Sequence, residues 1–185
     1  MIPYPTFFSG DYIDRATTRR SDAAALAAAW HSAESRFLPV WDSLCLVRDG
    51  AAARLTRSEL GALLPERGIF LGVDDGRALF AVALATPEPP ASLGTFGGLR
   101  ELTNCLEARD AGLLAYARAM VHWQRQHRYC SACGSPCEAA DGGFVLACSS
   151  AGCGQRNFPR LDPAIIVLVH RDQHCLLGRQ ASWPE

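Results

Sequence analysis

Two short cysteine pairs, Cys130-Ser-Ala-Cys133-Gly and Cys148-Ser-Ser-Ala-Gly-Cys153-Gly, constrain this chain more than any other feature in it. Thirteen residues lie between Gly134 and Cys148, and two thiol pairs at that separation match a four-cysteine zinc site. The Gly after each second cysteine lets the chain turn so that backbone N–H groups can face the sulfurs. Cys130, Cys133, Cys148 and Cys153 are therefore the expected ligands of one structural zinc ion. Four thiolates fill the shell and leave no position for water, so the metal is expected to hold the fold and do no chemistry. Cys137 lies between the pairs but follows Pro136 without such a turn, and reads as a bystander. His122 and His127 flank Trp123 near the site. With the shell already complete, both read as helix-end or surface groups.

The other cysteines are scattered without a pairing pattern, which argues against a disulfide scaffold and for metal in a reducing compartment. Cys45, Cys105 and Cys175 sit beside apolar residues and read as buried thiols. Hydrophobic residues make up 49% of the 185 and charged residues 20%, a balance that folds rather than remaining disordered. All 18 basic residues are Arg, yet the net charge is −1, so there is no general attraction to nucleic acid or anionic membrane. No apolar run reaches the roughly 18 to 20 residues that span a bilayer. The start, MIPYPTFFSGDYIDR, lacks a basic segment followed by an apolar one, which favours the cytoplasm.

Along the chain, the Ala-rich run from Asp22 to Ser35 predicts a helix with Ser21 as its N-cap. FLPVW and SLCLVRDG read as short strands, and Thr56 with Glu59 has capping-box spacing before a short helix. GIFLGV and RALFAVAL flank Asp74-Asp75-Gly76 as a hairpin, with Asp74, Asp75 and Asp141 assigned to turns. From Arg109 to His127, Leu113, Tyr116, Ala117, Met120 and Trp123 recur on one helical face. The periodicity stops at Arg128. Beyond the cysteines, AIIVLV from Ala164 to Val169 reads as a buried strand, continued by a turn and a second strand in CLLGRQ. The expected fold is α+β: a mixed N-terminal domain over 1–127 ending in a long helix, a zinc ribbon over 128–160, and a β-hairpin over 161–185.

WQRQHRYCSACG, from Trp123 to Gly134, followed by CGQRNFPRLDPAII, from Cys153 to Ile166, resembles the NADH pyrophosphatases of the Nudix hydrolase superfamily. FGGLREL, from Phe96 to Leu102, is similar to that family's approach to the long helix. One departure is the second knuckle, with four residues between Cys148 and Cys153 where the family has two. The resemblance implies that the final hairpin begins an α/β/α Nudix sandwich and that the parent activity cleaves NAD(H) to NMN(H) and AMP, with NAD-capped RNA as a further substrate. It also implies a homodimer and catalytic Mg²⁺ or Mn²⁺ held by the glutamates of the Nudix box, G-x5-E-x7-R-E-x2-E-E-x-G, because hard cations take carboxylate oxygens. That box is absent. Its nearest counterpart, Arg100-Glu101, is followed by Asn104 and Cys105 where paired glutamates belong, and Ser92 stands at the upstream Glu position. No catalytic residue is therefore expected in this chain, which reads as cut off before its catalytic motif and inactive alone. By the same resemblance, Phe158 occupies a position usually held by Tyr that contributes to the nucleotide site across a dimer interface, Ile166 lines the base pocket, and Arg100 reaches a phosphate.

Two other readings compete. A non-catalytic zinc-ribbon module would bind protein or nucleic acid, although residues 128–160 carry three Arg against Glu138 and Asp141 and form no basic stripe. A dimerisation fragment would instead use AIIVLV as an apolar edge that seeks a partner.

Overall fold

The computed structural model describes residues 7–8, 12–160 and 167–178. Its first helix, α1 (Ala23–His31), is capped by Asp22, whose carboxylate accepts the Ala25 N–H at 2.9 Å. The cap is thus one residue later than the expected Ser21, and the helix stops when Ser32 turns extended rather than running to Ser35. Strands β1 (Arg36–Trp41) and β2 (Leu44–Arg48) follow as an antiparallel hairpin. Its two linking residues, Asp42 and Ser43, both have positive φ, the geometry that matches the right-handed twist of paired strands. β3 (Ala51–Ala52) adds to β2, and α2 (Arg57–Leu60) carries the full Thr56–Glu59 capping box.

β4 (Ile69–Asp74) and β5 (Arg77–Ala83) form the expected hairpin, with a register shift between Phe70 and Gly72 that breaks the alternation. β5 then pairs parallel with β1, setting the sheet order β3-β2-β1-β5-β4; β6 (Thr95–Gly97) pairs separately with β2. Alternate side chains feed two cores. Leu38, Val40, Leu79 and Ala81 face α4 (Ala108–Gln126), which buries Leu113, Leu114, Ala117, Met120, Val121 and Trp123. Phe37, Phe80 and Val82 face the other way, against Trp30 of α1 and Leu60 of α2. Trp30 meets Phe37 and Phe80 edge-on at 5.1 Å each, a favoured aromatic geometry. Between β6 and α4, the short α3 (Leu99–Leu102) adds Leu102 to the first core.

Asp74 is a buried strand end rather than a turn residue. It accepts Arg54 Nε at 2.9 Å and is also paired with Arg109, while Asp110 accepts Arg54 at 2.8 Å and the Ala52 N–H at 2.7 Å. These charges link β3, β4 and the start of α4; buried carboxylates need such partners. Of the remaining thiols, Cys45 is buried in the first core, where loss of hydration pushes its thiol up to about 11 against the opposing pull of Arg118. Cys105 and Cys175, expected to be buried, are both exposed. Cys105 lies on the loop after α3, and Cys175 sits in an uncovered two-residue ladder.

β7 (Cys137–Ala140), β8 (Val145–Cys148) and β9 (Arg156–Asn157) make a three-stranded antiparallel ribbon. Its tip, Asp141-Gly142-Gly143, has positive φ at all three residues and is pressed onto the N-terminal domain. Gln124 of α4 donates to the Gly143 carbonyl at 2.8 Å, and the Arg20 guanidinium lies 3.5 Å above the Phe144 ring centroid. Leu146 joins the core beneath α4, so ribbon and sheet share one apolar cluster. The last described elements, β10 (His170–Arg171) and β11 (His174–Cys175), pair antiparallel. Residues 164–166 of the expected AIIVLV strand lie outside the described residues. Val167 to Val169 are exposed and precede the paired strand, so the hairpin falls later than the apolar run suggests.

A Cβ at Gly143 would stand 3.2 Å from Ile69 Cα, at a φ of 90° that L side chains rarely adopt. Gly143→Ala should lower the unfolding free energy by about 1–3 kcal/mol in urea titrations. Gly152→Ala, with nothing within 4 Å, should leave it within about 0.5 kcal/mol. A second expectation concerns acid. The Thr56 backbone N–H, followed by Arg48, holds Glu59 down to about 2 from an ordinary 4.5. A depressed carboxylate contributes stability above its unfolded value and loses it as pH falls through the folded one. Glu59→Gln should therefore be slightly destabilised at neutral pH, with the difference from the parent closing between pH 4.5 and 2. The effect is small because the Arg48–Glu59 pair is exposed.

Candidate metal centre

Each cysteine of the cluster is delivered by a turn. Cys130 closes the first knuckle, donating its N–H to the Ser135 carbonyl at 2.8 Å and accepting the Gly134 N–H at 2.9 Å on its own carbonyl. Gly134, at φ 76°, makes that turn possible, and Gly154, at φ 64°, does the same after the second pair. Cys148 ends β8, with its N–H to Gln155 O at 2.8 Å, while the Cys153 N–H bonds Ser150 O at 3.0 Å. The two residues added between Cys148 and Cys153 form part of this loop, and the ligand set is unchanged.

The four sulfurs lie within 4.8 Å of one another, with Cys133 Sγ to Cys148 Sγ at 3.4 Å and Cys130 Sγ to Cys153 Sγ at 3.7 Å. A tetrahedron of Zn–S bonds near 2.3 Å has edges of about 3.8 Å, so the donor set fits a zinc ion in number, chemistry and spacing. The electrostatics agree. The Ser135 N–H, first, and the Ser135 hydroxyl hold Cys133 down to about 6. The Ser150 N–H favours the Cys148 thiolate, but loss of hydration and the neighbouring sulfurs outweigh it and push Cys148 up to about 12. Crowded sulfurs cannot all ionise without a cation among them. Such a centre has no open coordination position and can only brace the fold.

Cys137 is a fifth thiol, outside the four but directly opposite Cys148 in the β7–β8 ladder. Sequence spacing conceals this. The signal is the turn at Asp141-Gly142-Gly143: with Phe144 it makes a four-residue connection, and counting outward from it along both arms brings positions 137 and 148 together. His122 and His127 are exposed and outside the cluster; His127 Nδ1 lies 2.9 Å from the Trp123 carbonyl at the end of α4. Phe158, just after β9, is 58% exposed, and Arg100 is exposed on α3 in the first domain. Ile166 lies outside the described residues.

Residues 34–123 match the NADH pyrophosphatase-like rudimentary NUDIX domain, and residues 125–159 match the NADH pyrophosphatase zinc ribbon domain. The chain thus carries, in this order, two domain types of the NADH pyrophosphatases: the NUDIX-like domain on the sheet and long helix, and the zinc ribbon on the cysteines. Among its relatives is the NAD-capped RNA hydrolase NudC of Mycobacterium tuberculosis, 32% identical over 179 residues that cover 93% of this chain and 55% of the relative. The enzyme of the same name from Stutzerimonas stutzeri is 39% identical over 68% of this chain and 43% of its own length. Human mitochondrial NAD(P)H pyrophosphatase NUDT13 is 36% identical over 62% of this chain and 32% of its own length. The chain thus spans about half the length, or less, of the curated relatives it matches.

Elemental analysis of freshly purified protein should find about one zinc per chain, and less than half an equivalent would remove the assignment. Changing any of Cys130, Cys133, Cys148 or Cys153 to Ser should lower that content and the ribbon's protection from protease. Cys137→Ser should leave the zinc content unchanged.

Proposed function

We propose that this chain supplies the N-terminal and zinc-ribbon portions of a hydrolase that cleaves the pyrophosphate of NAD(H), yielding NMN(H) and AMP, with NAD-capped RNA as a second class of substrate. The observation that carries the reading is the serial match of both domains to a single enzyme family, joined to relatives whose names specify NAD-capped RNA or NAD(P)H. Within these 185 residues there is no Nudix box, so the glutamates for Mg²⁺ or Mn²⁺ would come from residues beyond this sequence. The chain's own contribution is to place groups around the pyrophosphate. Phe158, exposed and carried on the ribbon, is a stacking surface for a base; Arg100 is a candidate phosphate contact, and Ile166 a wall of the base pocket. Four cysteines gathered in one metal site, with the others scattered along the sequence without a pairing pattern, suit a reducing cytoplasm. Among the described residues, no helix is long and apolar enough to cross a membrane.

A second reading, self-association, is favoured by the final hairpin, where Val167, Leu168, Val169, Leu176 and Leu177 are 57–82% exposed. Isolated apolar surface of this kind seeks cover. Homodimer formation fits either reading.

The 185-residue protein should not turn over NADH above a boiled control. Extended through a Nudix box, it should hydrolyse NADH in the presence of Mg²⁺ or Mn²⁺, and failure of the extended protein would overturn the enzymatic reading. Phe158→Ala in the extended protein should raise KM by about ten-fold, the loss of one base stack. Light scattering on the 185-residue protein separates dimer from monomer.

A further inference from the structure

Cys137 occupies a position that the zinc centre does not explain. It is paired with Cys148 across β7 and β8. Its N–H turns outward to the Arg128 carbonyl at 2.9 Å, and that of Cys148 turns outward to Gln155 at 2.8 Å, while the next rung along is closed by the Ser149 N–H on Pro136 O at 3.0 Å. The two cysteines are therefore a non-hydrogen-bonded pair, the close type of antiparallel site, with Cα atoms about 4.5 Å apart and side chains on one face. That separation falls inside the roughly 4.4–6.8 Å window of disulfides. Asn157 confirms the face: it pairs with Leu146, two residues before Cys148, and its Nδ2 lies 3.8 Å from Cys137 Sγ. A cavity of about 370 Å³, lined by Cys137 together with Gln124, Tyr129, Pro136 and Leu146, opens beside the Cys137 thiol.

We propose that Cys137 is a resolving thiol, which captures peroxide-oxidised Cys148 as a cross-strand disulfide and so makes metal loss from the ribbon reversible. The inference rests on the zinc reading of the four cysteines and not on the pyrophosphatase activity. In the first step the Cys148 thiolate attacks hydrogen peroxide: an S–O bond forms, the O–O bond breaks, and hydroxide leaves to take a proton from solvent. The product is a sulfenic acid, which no longer serves as a thiolate ligand and leaves the cation on the other three sulfurs. In the second step the Cys137 sulfur attacks the Cys148 sulfur, an S–S bond forms, and the S–O bond breaks with loss of water. Two thiols have lost two electrons, and one peroxide has been reduced to water. Cys133, Cys130 and Cys153 are also close by, with Cys133 Sγ 3.4 Å from Cys148 Sγ. They still hold the cation when Cys137 attacks, whereas Cys137 is outside the shell; once the disulfide has taken Cys148 from the site, the weakened three-thiolate centre loses its ion. Without a resolving partner, a sulfenic acid proceeds to sulfinic acid, which reductants do not reverse.

The test uses protein first shown to hold one zinc per chain, so failure of the metal assignment is seen before peroxide is added. Metal release is followed with a chromogenic chelator, and linkages are mapped by mass spectrometry under non-reducing conditions. Trypsin is unsuitable because residues 129–155 contain no Lys or Arg. Cleavage after Glu138 and Asp141 separates Cys137 from Cys148, and fragmentation distinguishes Cys137 from Cys130 and Cys133. The expected result is peroxide-dependent release of zinc, a dominant Cys137–Cys148 link, and recovery of zinc binding after dithiothreitol. Cys137→Ser should release zinc as well, but with Cys148 found as sulfinic acid and recovery reduced by roughly three-fold or more. Three outcomes overturn the proposal: no metal release, a dominant Cys133–Cys148 or Cys130–Cys153 link, or equal recovery in Cys137→Ser.

Discussion

Four sulfurs held within 4.8 Å of one another repel as soon as they ionise, and a cation is what turns that repulsion into a brace. The ribbon depends on it. Its strands are short and, on their own, bury little apolar area, far below what would offset the entropy of ordering the segment. The opposite end of the ribbon has no metal and is secured by conformation. Three positive-φ residues fold the tip so closely onto Ile69 and Gln124 that a side chain at Gly143 would crowd both, at a φ that L residues rarely adopt. One module is thus fixed at both ends, by sulfur chemistry at the knuckles and by glycine at the tip, with Leu146 in the shared core between them.

The N-terminal domain is ordered by alternation. Each inner strand sends one set of side chains under α4 and the other toward Trp30, so a single sheet feeds two apolar cores. At the rim, Asp74 and Asp110 receive Arg54 and Arg109 and fix the start of α4 against β3 and β4. α4 therefore leaves the sheet in a set direction and delivers Cys130 four residues after its end.

Much of this was legible from residues alone. The capping box at Thr56, the hairpin around Asp75-Gly76, the amphipathic α4 and the four ligands all follow from local chemistry, since each signal lies within a few residues of its effect. What escaped was non-local. Parallel pairing of β1 with β5 leaves no mark in either strand, and Asp74 looks like a turn residue until Arg54 and Arg109 arrive from distant segments. Cys105 and Cys175 show the reverse error, because apolar neighbours in sequence do not make a covered site in space. Cys137 was set aside for its local surroundings, whereas its significance comes from the strand opposite.

The parallel β1–β5 pair also bears on how the molecule assembles. Both ribbon hairpins join residues close in sequence, and loops that short close in well under a microsecond, whereas bringing β5 to β1 requires the intervening hairpin and α2 to be gathered first. The ribbon is thus able to capture its ion early, but it cannot seat: its docking site on Ile69 exists only once β4 has joined β5 in the finished sheet. Metal capture needs only local closures, whereas seating the ribbon also needs a strand pairing far in sequence from the four ligand cysteines.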